Sequence, residues 1–312
     1  MKISFIVPLF NCLELTQAMT ASLRDSLPQE LDYEIILVDD GSTDGTRAWL
    51  STLQPPFRII LNERNLGYGA ANNRGVAEAR GDLLALLNND LILRRGWIEP
   101  MLAAHRSLGA RAGLVGNVQV AAATGQVDHA GITINHKGKP AHDQRRPWAV
   151  RRLFAPVREA AAVTGACLLV SAALWRRLGG FDPVYINGCE DIDLCLKARE
   201  AGFLNAVALR SVVLHHVSAS QGRKLRDEEN TRHLVLRWRA ALAHLGQRDW
   251  TRNAFETTLP DPRDFADPRL AWHMAFYLLH LRSDPPPNAL PGMQASIGVE
   301  LERWQELLGP PL

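Results

Sequence analysis

The 312-residue sequence has almost no excess of charge of either sign: 35 Lys and Arg stand against 33 Asp and Glu, a net of +2. No global field therefore argues for a nucleic-acid partner. Cysteine is scarce too. The four present (Cys12, Cys167, Cys189, Cys195) form no Cys-x-x-Cys pair and no framework spacing, which suits a reducing compartment. Long apolar runs are missing: none approaches about 18 residues, so no transmembrane helix is expected. The opening run Ile3–Val7 is too short for a signal peptide and lacks a cleavage region. Internal repeats and low-complexity tracts are absent as well. On these absences the chain is expected to be cytoplasmic. What is there is ordinary for a globular fold, with 46% apolar and 22% charged residues. The length suffices for one large domain, or a domain plus an extension.

Strand and helix signals alternate through the first half. Strands are expected at Ile3–Leu9, 33–38, Phe57–Leu61 and 82–87, with helices near 46–53 and 70–79. Asn11 with Glu14 reads as a capping box for a first helix. This alternation predicts a mostly parallel α/β sheet covered on both faces. Further strands are expected at 114–120, 126–134, 161–170 and 206–213, with a helix from about Glu190. The span 136–158 is rich in Lys, Arg and Pro and reads as a basic loop. After about residue 222 the character turns to helices rich in Arg, Trp and Leu.

Four strand ends carry chemistry. The apolar run ending at Val38 stops in Asp39 and Asp40, and a Gly/Ser/Thr turn then opens a helix. Ligands bind open α/β sheets at the carboxyl ends of their strands. By itself this stretch is equally an ordinary strand–turn–helix joint, with Ser42 or Thr43 as cap and Asp44 favoured by the helix dipole. The other three ends weigh against that reading. Pro8-Leu9-Phe10-Asn11 follows the first strand. A glycine loop from Asn65 through Gly67 and Asn73 to Gly75 leads into a helix N-terminus suited to anions. Asn88-Asn89-Asp90 closes the fourth strand with one carboxylate and two amides.

In that order the four loops resemble the nucleotide-sugar half of the family 2 glycosyltransferases. The likeness continues through Thr164-Gly165-Ala166-Cys167, Gly179-Gly180-Phe181-Asp182 and Glu190-Asp191-Ile192-Asp193, similar to that family's acceptor-side motifs. His215 with Ser218 and Ser220 resembles its late His-x-x-Ser-x-Ser element. The resemblance spans residues 3–222 and implies a GT-A fold: a Rossmann-like mixed, mostly parallel sheet flanked by helices. It sets a transferase domain at 1–222 and a helical C-terminal extension, related to acceptor or membrane surface, at 223–312.

The same resemblance implies inverting, metal-dependent transfer of one sugar from a nucleoside diphosphate sugar to a hydroxyl acceptor. The setting would be bacterial polysaccharide or glycoconjugate synthesis. Asp39 and Asp40 suit the base and ribose of the donor, with Pro8, Gly67, Asn73, Asn88 and Asn89 lining the pocket. Arg223 and Lys224 would close over the phosphates. Asp90 is the expected ligand for Mn²⁺ or Mg²⁺, hard cations that take carboxylate and phosphate oxygens. The family's first metal-motif position is here Asn88, which removes one charge. His215 is the expected second ligand, with His216 as the alternative. Asp191 is the expected general base, since three carboxylates crowd its turn and such crowding favours proton uptake. Glu190 would orient the acceptor, and Trp175 or Trp148 would offer a sugar-stacking surface.

The glycine loop looks most like the rhamnosyltransferase branch, pointing to dTDP-rhamnose, with UDP-sugars close behind. No Gln-x-x-Arg-Trp element follows Asp191, which argues against a processive synthase. The acceptor is expected to be a glycan or a lipid-linked glycan. The basic run from Arg223 to Arg239 fits either a peripheral contact with the inner membrane face or the solvated face of a packing helix. Two other readings stay open: a sugar-1-phosphate nucleotidyltransferase, whose Gly-rich signature after strand one is lacking here, and a non-catalytic nucleotide-sugar binder.

Overall fold

The computed structural model describes residues 1–147, 149–216, 226–258 and 267–310. Their contacts group into two compact units, Met1–Ile132 with His142–Arg226, and Thr133–Ala141 with Asp227–Leu312.

The first unit opens as the apolar periodicity predicts. β1 (Ile3–Leu9), α1 (Leu13–Ser26), β2 (Tyr33–Asp39), α2 (Thr46–Leu50), β3 (Phe57–Leu61), α3 (Tyr68–Ala77) and β4 (Leu83–Leu87) alternate without exception. β1 and β4 are apolar on both faces and buried throughout their apolar length, the pattern of central strands in a sheet covered on both sides. Next come β5 (Leu91–Ile92), α4 (Ile98–Leu108), β6 (Ala112–Ala121), β7 (Val127–His129), β8 (Ile132–Ile134), β9 (Pro140–His142), α5 (Ala149–Phe154) and β10 (Val157–Glu159). The unit closes with β11 (Cys167–Ser171), α6 (Ala172–Leu178), α7 (Glu190–Glu200) and β12 (Leu204–His215).

The main sheet runs β10-β12-β6-β11-β4-β1-β2-β3. β1 is parallel to β2 and β4, β2 to β3, and β12 to β6, while β11 runs antiparallel to both β4 and β6. Six strands therefore share one direction, and Leu9, Asp39, Leu61, Leu87, Ala121 and His215 end at the same sheet edge. That edge is where an open α/β sheet offers its binding crevice.

Several expectations needed correction. The capping box does not form: Cys12 takes the N-cap position in the left-handed region, φ 59°, without a side-chain cap. Asn11 Oδ1 instead accepts the N–H groups of Thr43 (2.8 Å) and Asp44 (3.4 Å). Neither Ser42 nor Thr43 caps α2; Gly45 does, with no side-chain bond. The strand expected at 126–134 is broken in two by Gly131, whose φ of +109° interrupts extended pairing. The strand expected at 161–170 begins only at Cys167, since Gly165 N–H is held by the Asp191 carboxylate rather than by a neighbouring strand. The span 136–158 is not all loop, because β9, α5 and β10 lie within it or at its end.

In the second unit α8 (Asp227–Thr258) bends at Trp238, where φ is −110° and ψ 20°. α9 (Pro268–Leu278) and α10 (Ala289–Leu308) follow. The 133–141 hairpin groups with these helices: Lys139 Nζ lies 2.6 Å from a Glu300 carboxylate oxygen and 4.7 Å from the centre of the Trp304 ring.

Candidate active site

At the end of β2 the two adjacent carboxylates do different work. Asp39 has no exposed surface; its Oδ2 accepts Arg47 Nε at 2.7 Å and Ser42 N–H at 3.3 Å, while its buried Oδ1 has no hydrogen-bond partner. Asp40 is satisfied by the protein, accepting Asn62 Nδ2 (2.6 Å), Leu66 N–H (3.0 Å) and Gly67 N–H (2.9 Å). It thereby holds the glycine loop against the strand end. Gly41 permits that approach: its φ is +82°, and a Cβ there would stand 2.6 Å from the backbone of Arg64 and Asn65. Arg47 and the Arg74–Asn62 bond complete this polar shell. The sequence reading missed Arg47. Its signal is position, since a side chain in the first turn of a helix points back over the turn before it.

Asn73 also serves the protein. Its Nδ2 donates to Phe181 O (2.8 Å) and its Oδ1 accepts Phe181 N–H (3.0 Å), clamping the Gly180-Phe181 turn to α3. Tyr68 ties the same region together, its hydroxyl donating to Gly165 O at 2.7 Å and its N–H to Asn187 Oδ1 at 2.9 Å. Pro8 lies on β1 in register with Val38, one step before the strand end.

The loop after β4 meets the end of β12 through backbone pairing. β5 pairs antiparallel with β12, Leu91 opposite His215, and His216 N–H donates to Asp90 O at 2.9 Å. This brings His215 Nε2 to 3.3 Å from Asp90 Oδ1, and His215 Nδ1 to 3.5 Å from Asp128 Oδ2. Both side chains are buried, Asp90 8% and His215 4% exposed, yet Asp90 Oδ1 and both imidazole nitrogens make no hydrogen bond. Buried polar atoms are nearly always satisfied. A carboxylate oxygen and an imidazole nitrogen left open side by side fit a divalent cation. Among the described residues no group of three or more His, Cys, Asp or Glu is arranged to hold an ion by itself, so the pair suits a metal that is also held by phosphate oxygens and water. Nearby, Asn88 keeps a buried Oδ1 without a partner, whereas Asn89 Nδ2 donates to Thr16 Oγ1 at 2.9 Å.

Three carboxylates begin α7, and they are not equivalent. Asp193 is buried, 2.8 Å from Lys197 Nζ. Glu190 is buried and accepts Gly188 N–H at 2.7 Å. Asp191 alone is partly exposed, oriented by Gly165 N–H (2.6 Å) and Ile192 N–H (2.8 Å). Of the three, Asp193 has its charge offset by Lys197. Trp175 offers no sugar-stacking face, being buried edge-on against Phe181. Trp148, Ser218, Ser220, Arg223 and Lys224 lie outside the described residues.

A parallel-edged α/β sheet with a buried acidic strand end and an open Asp–His pair at its carboxyl edge suits a phosphate-bearing ligand held with a divalent cation. The sequence profile of Glycosyl transferase family 2 matches residues 4–170. The N-acetylglucosaminyl-diphospho-decaprenol L-rhamnosyltransferase of Mycobacterium tuberculosis is 30% identical over 257 residues, covering 75% of this chain and 82% of that protein. The chain belongs to glycosyl transferase family 2. An uncharacterized protein of Sinorhizobium fredii, y4gI, is 29% identical over 85% of this chain, but the chain spans only 28% of its length. Among solved structures, GalNAc-T7 with UDP, GalNAc and Mn²⁺ superposes with a TM-score of 0.65 at 16% identity, covering 83% of this chain and 52% of that one. S. aureus TarS 1-349 gives 0.55 at 13% identity, covering 98% and 92%. The fold is GT-A.

Proposed function

We propose that the protein transfers a single sugar, with inversion, from a nucleoside diphosphate sugar to a hydroxyl of a lipid-linked glycan. The reading rests foremost on the open Asp90–His215 pair at the carboxyl edge of the sheet. Asp39 Oδ1 would accept from the nucleoside, and Asp40, Gly67 and Asn73 would shape the pocket around it. Asp90 and His215 would hold Mn²⁺ or Mg²⁺, which as a Lewis acid would offset charge on the departing diphosphate. Asp191 would take the proton of the acceptor hydroxyl as its oxygen bonds to the anomeric carbon. The bond to the diphosphate oxygen breaks in the same displacement, carrying its electron pair onto the diphosphate. Glu190 would fix the turn that presents Asp191.

The rhamnosyltransferase relative supports dTDP-rhamnose as first choice of donor, ahead of UDP-sugars. The same relative's name supports a diphospholipid-linked acceptor. The transferase would occupy 1–222 and the helical extension 223–312. No described helix is long and apolar enough to cross a membrane. Access to a lipid acceptor would be peripheral, at the cytoplasmic face. The test is a panel of dTDP-, UDP- and GDP-sugars with Mn²⁺ or Mg²⁺, monitoring release of the nucleoside diphosphate. Turnover of one donor that stops on chelation supports the proposal. No turnover of any donor, together with no nucleotide binding, would sink it.

A further inference from the structure

A cavity of about 610 Å³ lies on β6 and β12. That size is typical of small-molecule sites. Its floor is aliphatic: Val118 pairs with Val212 and Val120 with Leu214, so all four side chains share one sheet face. This is the face covered by α7. Two residues earlier on β6 the same face carries Gly116, where a Cβ would stand 2.7 Å from Val163, and Val163 N–H contacts Cys195 of α7. The cavity thus shares with Asp191 both a face of the sheet and the carboxyl end of its strands.

The lining has a definite chemical character. No carboxylate and no aromatic ring is among the described residues that form it, but Arg146 and Arg152 are. Neighbouring cations are already paired, Arg145 and Arg158 with Asp143 at 2.8 and 3.0 Å. Arg146 and Arg152 have no carboxylate partner among the described residues. Above the cavity, Arg210 donates to Arg152 O (2.8 Å) and Leu153 O (2.6 Å), satisfying carbonyls at the end of α5. The short helix is thereby fixed with Val150, Leu153 and Phe154 turned outward, 67%, 60% and 79% exposed.

A slot floored by four aliphatic side chains, with no aromatic ring among its described lining residues, suits a flexible hydrocarbon chain. Two unpaired guanidiniums suit a phosphate, and exposed apolar side chains beside them suit a lipid surface. Resting on the transferase reading above, we infer that this cavity seats the first part of the apolar tail of a prenyl diphosphate acceptor. Arg146 and Arg152 hold its diphosphate, and α5 touches the membrane from which it comes.

Geranylgeranyl diphosphate is the probe, titrated calorimetrically into the full chain beside geranylgeraniol and inorganic pyrophosphate. The expected result is binding that needs both halves, with the alcohol and pyrophosphate each at least about tenfold weaker. The double variant Arg146→Gln/Arg152→Gln is expected to weaken the lipid at least about tenfold, and so is Val212→Phe, which fills the slot. If Val212→Phe does not fold, the arginine variant decides alone, since Arg146 is exposed and Arg152 only half-buried. Wild-type affinity in the arginine variant would overturn the inference. So would pyrophosphate binding as tightly as the lipid, which would leave the apolar tail no part in the binding. The donor chemistry is judged separately by the sugar-nucleotide panel on the wild-type chain, so either idea can fail alone.

Discussion

Arg47 Nε lies 2.7 Å from Asp39 Oδ2, and the Asp39 side chain is wholly buried whereas that of Arg47 is 39% exposed. The pair thus joins an enclosed anion to a cation that reaches solvent. Its Asp39 Oδ2 is held in place, leaving Oδ1 as the only oxygen for a ligand. Arg47→Ala is expected to lower stability by about 1–3 kcal/mol, because the buried Asp39 Oδ2 would keep only the longer bond from Ser42 N–H. Nucleotide affinity should fall with it. Urea unfolding at neutral pH measures the first and calorimetry the second; unchanged values in both would show that the pair matters little.

Asp191→Asn is expected to keep nucleotide binding while transfer drops by roughly 10²–10⁴-fold, the range for a lost general base. An amide oxygen still accepts from Gly165 N–H, so the turn should stay in place. Steady-state rates beside donor affinity test this. Normal transfer by the variant would remove Asp191 from the base role.

Metal affinity should depend on both members of the Asp90–His215 pair. Asp90→Asn and His215→Gln are each expected to weaken Mn²⁺ binding at least about tenfold, the lower bound seen even for outer-shell losses. The EPR signal of free Mn²⁺ in the presence of nucleoside diphosphate reads this directly. Equal affinity in either variant would move the ion elsewhere.

His129 is buried with both ring nitrogens unpartnered. Burial foremost, then His142, pushes its pKa well below the ordinary histidine value; Arg158 and His215 act the same way and Asp143 opposes them. The folded state therefore takes up a proton less readily than the unfolded chain. Linkage then makes the fold lose stability as pH falls below about 6.5, the unfolded value, towards the depressed folded one. Above that window His129 has no effect on the pH dependence. His129→Gln should flatten the decline in melting temperature between neutral and mildly acid pH. A slope identical to wild type would assign the acid sensitivity to other groups.

The donor half was legible because each of its strands is a largely apolar run followed by polar residues, so fold and site edge share one signal. Roles within that edge were less legible. Asp39 and Asp40 are adjacent and alike, and only the packing of Arg47, Asn62 and the glycine loop separates a carboxylate with one open oxygen from a loop anchor. Nothing in the sequence tells that Phe181, 108 positions away, takes both ends of the Asn73 amide. The region 126–170 was misread because its turns depend on long-range contacts, such as Gly165 with Asp191, that no local pattern encodes. Cavity-forming Val118 and Val212 gave no signal beyond ordinary strand composition.

The two-residue strand at Leu91–Ile92 and its partner His215 are separated by more than a hundred residues of chain. A polypeptide emerging from the ribosome would carry every donor-side loop long before the imidazole arrives to stand beside Asp90. Cation capture would then be among the last properties acquired during biogenesis. A one-residue insertion within 88–92 should abolish it while leaving the sheet intact, because slipping the register turns Asp90 to the wrong side.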